Sequence, residues 1–173
     1  MRTLNLLILL FLLGACAEVK YTKTVSRVEI DRYMGTWYVM AGRFTFLEKE
    51  VNNAVEVYTW NREKDRIDIA FNYNKGNLTG PIKSIPQKGW IKDKKTNAHW
   101  LVSPLWPFKA DYLIIDLAED YSWVAIGVPS QNYLWIMARD FKFSRDKIDT
   151  VLKRLQKLDY NTDNIVFVPH GKK

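Results

Sequence analysis

Cysteine is nearly missing from this chain, which has one, Cys16, in 173 residues. A lone thiol cannot close an internal disulfide or supply a Cys-based metal site, so packing has to hold the fold. Histidine is scarce as well, limited to His99 and to His170 in a tail read as loose. With no G-x-S-x-G elbow and no H-E-x-x-H helix either, the common hydrolase signatures are excluded, and no catalytic residue is nominated. Zinc spacings and helix-turn-helix patterns are also lacking. Neither a metal, a cofactor nor a nucleic-acid partner is therefore expected, despite a net charge of +7. That charge does suit an anionic phospholipid surface. A run of about 20 apolar residues, the length a membrane span requires, is absent too.

The longest apolar segment runs almost unbroken from Leu4 to Leu13, behind the positive charge of Arg2 and ahead of Gly14 and Ala15. A cationic tip, a short apolar stretch and small residues are the layout of an export signal. The segment is not counted as part of the fold. Leu13-Gly14-Ala15-Cys16 resembles the lipobox of bacterial lipoproteins. The resemblance implies that residues 1–15 are a lipoprotein signal peptide, that Cys16 is the site of lipid attachment, and that the new amine is acylated. An ordinary cleaved signal that happens to precede a cysteine is the alternative. Two or three acyl chains anchor a protein stably where one holds only marginally, so the protein would sit on a membrane without crossing it. Ala17 stands where inner-membrane lipoproteins carry aspartate, which implies the outer membrane, facing the periplasm. Residues 16–27 then form a lipid-anchored tether and residues 28–173 the domain.

Aromatic residues are abundant, with 7 Trp, 9 Tyr and 8 Phe. Such rings fill cores and also line apolar ligand pockets. From Gly35 to Arg139 they fall in eight short β-type runs: 35–41, 54–60, 66–73, 82–91, 99–104, 111–117, 123–128 and 133–139. Turn-rich stretches such as "NKGNLTGP" and "PLWPFKA" separate them. Connections this short pair neighbouring strands in sequence order. "RIDIAFNYN" alternates, whereas "DYLIIDL" and "WVAIGV" are apolar on both faces, as befits a barrel wall covered from outside. Residues 144–158 supply the cover. Ile148, Val151, Leu152, Leu155 and Leu158 recur at helical spacing behind a Ser144 N-cap, and 164–169 reads as a last short strand.

Three separated stretches resemble the lipocalin family. Gly35-Thr36-Trp37 matches the G-x-W that opens its first strand, Glu119-Asp120-Tyr121 stands where the family has T-D-Y, and Arg139 ends "YLWIMAR" at the third signature. Over Val28 to Pro169 the likeness is to bacterial outer-membrane lipocalins and apolipoprotein D. It implies an all-β fold, an eight-stranded antiparallel up-and-down β-barrel with a C-terminal α-helix packed outside. It also implies that Gly35, Trp37, Asp120, Tyr121 and Arg139 are structural, with Trp37 plugging the closed end beneath Arg139. Glu119 in place of Thr puts a turn hydrogen bond in question, and Gly42 interrupts an Ala-Arg-Phe that often follows the first strand.

If Trp37 and Arg139 point inward, alternation turns Val39 and Ala41 inward on the first strand and Trp135 and Tyr133 on the last. Trp135 is the first candidate for ligand contact. Phe71 and Tyr73 follow from the clean face of their strand, and Tyr58, Trp100 and Tyr112 join them from two-sided strands. An aromatic pocket without metal ligands or a fixed buried charge suits an acyl chain, and the resemblance points the same way, to a fatty acid or lysophospholipid. Lys83, Lys88 and Lys109 are candidates for the headgroup, and a homodimer stays open. The rivals are a scaffolding lipoprotein whose barrel is filled by its own side chains, a lipid-acting enzyme, and haem binding through His99.

Overall fold

The computed structural model describes residues 20–48 and 50–171. Residues 1–15, expected as a signal peptide, and Cys16 lie outside the described residues. Eight strands follow one another: β1 (Gly35–Arg43), β2 (Val51–Asn61), β3 (Arg66–Lys75), β4 (Ile82–Ile91), β5 (His99–Leu105), β6 (Phe108–Leu117), β7 (Trp123–Gly127) and β8 (Leu134–Ala138). Each pairs antiparallel with the next, and β8 returns to β1, so the sheet closes into the up-and-down barrel that the runs predict. Period-two patterning accounts for the wall. On β3, Ile67, Ile69 and Phe71 are buried, while Arg66, Asp68 and Ala70 between them are only partly so.

Two details depart from the sequence reading. Residues 104–110 were expected as a loop, but Leu105 pairs with Phe108, leaving only Trp106 and Pro107 at the turn. Pro104 falls within a register shift of the β5–β6 ladder, where its missing N–H interrupts no pairing. The second departure is the tail. Strand β9 (Val166–Phe167) pairs with Ala41 and Gly42 of β1, where β1 has left β2. The Asn53 amide then donates to the Pro169 carbonyl at 2.8 Å, and the Gly171 amide to Asn53 Oδ1 at 2.9 Å. His170, whose Nε2 lies 2.9 Å from the Val39 carbonyl, is thus held in place rather than loose.

Helix α2 (Arg145–Lys157) begins where expected, with the Ser144 hydroxyl accepting from the Lys147 amide. It buries Ile148, Val151 and Leu155 against the outside of the barrel, on Met40, Ala41, Leu113 and Ile136. Arg154 pins it there by donating to both oxygens of buried Asp116, at 2.7 and 2.9 Å. Residues 20–27, the described part of the segment expected as a tether, also lie along the barrel. The Tyr21 amide donates to the Pro129 carbonyl and the Val25 amide to that of Ile114. A one-turn helix, α1 (Ile30–Tyr33), then crosses beneath the barrel. Its apolar contents therefore lie in two clusters, one inside the wall and one between wall and α2.

Candidate ligand-binding cavity

The lower interior is solid. Trp37 is fully buried, and its Nε1 donates to the Tyr33 carbonyl at 2.8 Å. The Arg139 guanidinium lies 3.7 Å over the Trp37 ring and donates to the carbonyls of Thr36, Arg32, Tyr33 and Met34. It thereby satisfies backbone acceptors that α1 is too short to pair internally. Gly35 starts the strand at φ +96°, and an added Cβ would stand 3.4 Å from Arg139 Nη1. The turn before β7 is closed by the Ala118 carbonyl and by Asp120, whose Oδ1 accepts from the Ser122 amide. Glu119 contributes its own carbonyl to Arg32, so the exchange from Thr leaves that turn intact. The Tyr121 hydroxyl accepts from the Glu29 amide at 2.8 Å, beneath the Arg32 guanidinium.

Above this floor the barrel is hollow. A cavity of about 400 Å³ is walled mainly by apolar side chains, among them Ile69, Ile85, Val102, Ile126 and Met137. Five of the eight residues nominated for ligand contact line it, namely Trp135, Tyr133, Phe71, Tyr58 and Tyr112. Three do not. Trp100 is fully buried in the floor, stacked on Tyr112 at 5.2 Å. Tyr73 sits beside Phe71, with ring centroids 5.1 Å apart, and Val39 packs in the inner core without reaching the cavity. Ala41 is a correction, because a register shift in the β1–β8 ladder between Val39 and Ala41 turns it outward toward α2. Gly42 follows from the same crowding, since a Cβ there would meet the Leu134 carbonyl oxygen at 2.1 Å.

The expectation of a pocket without buried charge is overturned. Glu48 ends a short turn, Phe46–Glu48, that sits over the cavity. Its Oε1 accepts from Trp135 Nε1 at 2.7 Å and its Oε2 from the Thr45 amide and hydroxyl. Burial pushes its carboxyl pKa up against these bonds, the largest of which comes from Trp135. Deeper, Glu56 projects inward from β2 and accepts from the Tyr58 hydroxyl. Burial raises its pKa to about 7, with the charge of Glu48 adding to the rise. The Tyr58, Tyr112 and Tyr33 hydroxyls continue the chain at 2.9 and 2.7 Å, and burial keeps all three phenols protonated. Glu56 was legible in principle, because Tyr58 was assigned inward and alternation carries Glu56 with it. Glu48 lies in a loop, where no periodicity applies.

His99 faces outward, its Nε2 2.6 Å from Asp111 Oδ1, with Lys92 on the same oxygen. Lys109 also faces outward, over the Trp90 ring. Lys88 does too, because its neighbour Gly89 abuts Ile67 and Ile69 inside. Lys83 alone of the three nominated lysines shares the inward register of Ile85 and Gln87, at the exposed rim.

A closed barrel, solid below and hollow and largely apolar above, is the form of a protein that binds small hydrophobic molecules. The lipocalin-like domain model matches residues 28–170, and the chain belongs to that family. It is 25% identical over 170 residues to outer membrane lipoprotein Blc of Vibrio cholerae, covering 97% of this chain and 98% of that one. Temperature-induced lipocalin-1 of Arabidopsis thaliana is 25% identical over 89% of this chain and 86% of its own. Among solved structures, insecticyanin of the tobacco hornworm Manduca sexta superposes with a TM-score of 0.66 at 11% identity, over 88% and 86% of the two chains. Lobster apocrustacyanin A1 does so at 0.65 and 12%, over 82% and 79%. Those two likenesses speak for the fold. The family placement, with its bacterial relatives, makes this a lipocalin of the outer-membrane lipoprotein type that binds small hydrophobic ligands.

Proposed function

We propose that this lipocalin holds an acyl lipid, a fatty acid or lysophospholipid, in the upper barrel while anchored through Cys16 to the outer membrane on its periplasmic side. The observation that carries the reading is the hollow itself, an apolar space of about 400 Å³ where a scaffolding barrel would be filled. Burying roughly 15 methylenes at about 0.8 kcal/mol each contributes about 12 kcal/mol gross. Association and chain-ordering costs bring that to micromolar affinity. Exposed apolar side chains border the mouth, with Phe46, Leu105 and Phe108 each more than half exposed and each also on the cavity wall. A rim of that kind suits uptake from a lipid surface. Storage, transport and membrane maintenance all follow from such a carrier.

The test is purification without added lipid, followed by native mass spectrometry and organic extraction. One acyl lipid per barrel is expected. A spin-labelled acyl lipid should quench tryptophan fluorescence, and Trp135→Ala should lose much of that quenching while keeping its circular dichroism. An empty protein that takes up no fluorescent fatty acid would sink the reading.

A further inference from the structure

The chain is basic overall, at +7, yet its cavity is acidic. Glu48 and Glu56 stand on the wall, and no lysine, arginine or histidine is among the described lining residues. Asp111 borders the space too, but its carboxylate is engaged outside with His99 and Lys92.

The hydrogen-bond directions sharpen this. A hydroxyl has one proton to give. Tyr58 gives its proton to Glu56 Oε2, so in its contact with Tyr112 it accepts. Tyr112 has then spent its own proton and accepts from Tyr33. All three phenol protons run toward Glu56. At the upper level, the Trp135 indole and the Thr45 hydroxyl are likewise committed to Glu48. Glu56 Oε1, by contrast, makes no hydrogen bond among the described residues, although the side chain is only 9% exposed and lies on the cavity wall. That oxygen is open to the cavity rather than sealed in the wall, so a donor that enters can reach it.

The geometry points to a ligand class: alkyl or acyl lipids whose head is a hydrogen-bond donor, a protonated amine first and a hydroxyl second, seated head-in on Glu56 Oε1. A free carboxylate placed there would be a third buried acid with no cation beside it. Fatty acids are therefore held with the head at the rim, near Lys83. This inference rests on the cavity being a lipid site and names the chemistry it selects.

The experiment is calorimetric titration of the intact protein with dodecylamine, dodecanol and laurate at about pH 8, where the amine is still protonated. Dodecylamine should bind at least about tenfold tighter than laurate, a difference of about 1.4 kcal/mol, with dodecanol between them. The protein's overall charge favours laurate, so the ranking runs against the long-range field. Glu56→Gln should remove about tenfold of the amine's affinity and leave dodecanol within about twofold. A wild-type ranking other than this one overturns the inference whether or not the variant folds. Equal affinities, or laurate the tightest, would overturn the inference and leave the lipid site standing. An amine preference that survives Glu56→Gln would do the same. Failure of all three ligands to bind would overturn both.

Discussion

At the closed end of the barrel, Trp37 and Trp100 are fully buried, and each indole N–H goes to a backbone carbonyl, Tyr33 at 2.8 Å and Asn97 at 2.7 Å. At the open end Trp135 is partly exposed, and its N–H goes to a carboxylate, Glu48, at 2.7 Å. One residue type thus serves two purposes in one interior. Below, the indoles tie β1 to α1 and β5 to the turn that precedes it through main-chain acceptors, which stay paired whatever the pH. Above, the indole ties a short turn to the wall through an ionisable side chain that borders an open space. Stability is expected to be concentrated in the first arrangement, and the proposed ligand to lie against the second.

Truncation at the floor should have the largest effect. Trp37→Ala removes a filled volume, the bond to Tyr33 and the ring beneath Arg139, and large-to-small changes of this kind cost about 3–5 kcal/mol. Urea unfolding should show that loss. Trp135→Ala, at the wall of an existing cavity, should cost well under half as much. Equal losses would mean that the two ends do not divide the work as described.

Glu56 lies between the two regions and is expected to act with the opposite sign. Its carboxyl is neutral in both folded and unfolded chains well below the usual 4.5, so stability is complete there. As pH rises toward about 7 the unfolded chain ionises first, and stability declines; above that value the loss is full. Glu56→Gln keeps an acceptor for Tyr58 but cannot ionise. It should match the wild type near pH 4 and exceed it by about 3 kcal/mol near pH 8. Thermal melts across that range would settle this, and a constant offset would show that charge burial is not the cause.

How much of this could be read from the residues follows the same division. The strands, the Ser144-capped helix and the Trp37–Arg139 stack rest on local alternation, helical spacing and short motifs, and each is present. Parity misled at Ala41, because a single register shift inverts every face beyond it. It also failed to separate cavity from floor. Trp100 and Tyr112 both point inward, and only the three-dimensional stack places one beneath the other. Glu48 escaped because its role depends on a loop folding back over the mouth, a long-range contact with Trp135 that no period encodes. Glu56 escaped for another reason. A carboxylate inside an apolar barrel contradicts the binary pattern, and such contradictions tend to mark functional positions.

The smallest expected effect tests the open end most directly. Trp135→Phe keeps a ring on the wall and removes only the N–H that holds Glu48. The carboxylate retains two donors from Thr45, so global stability should fall by no more than about 1 kcal/mol. Losing the strongest of its stabilising bonds should raise the Glu48 pKa further, and the turn at Phe46–Glu48 should open more often. Hydrogen exchange should therefore quicken at the Thr45 and Glu48 amides while the amides of Tyr33 and Trp37 keep their protection. The same substitution at Trp37 should loosen the floor and lower global stability, because there the lost N–H leaves the Tyr33 carbonyl with only its bond from Arg139. If Trp135→Phe slowed or spared exchange at Thr45, the indole would be wall filling, and the turn would owe its position to something other than that bond.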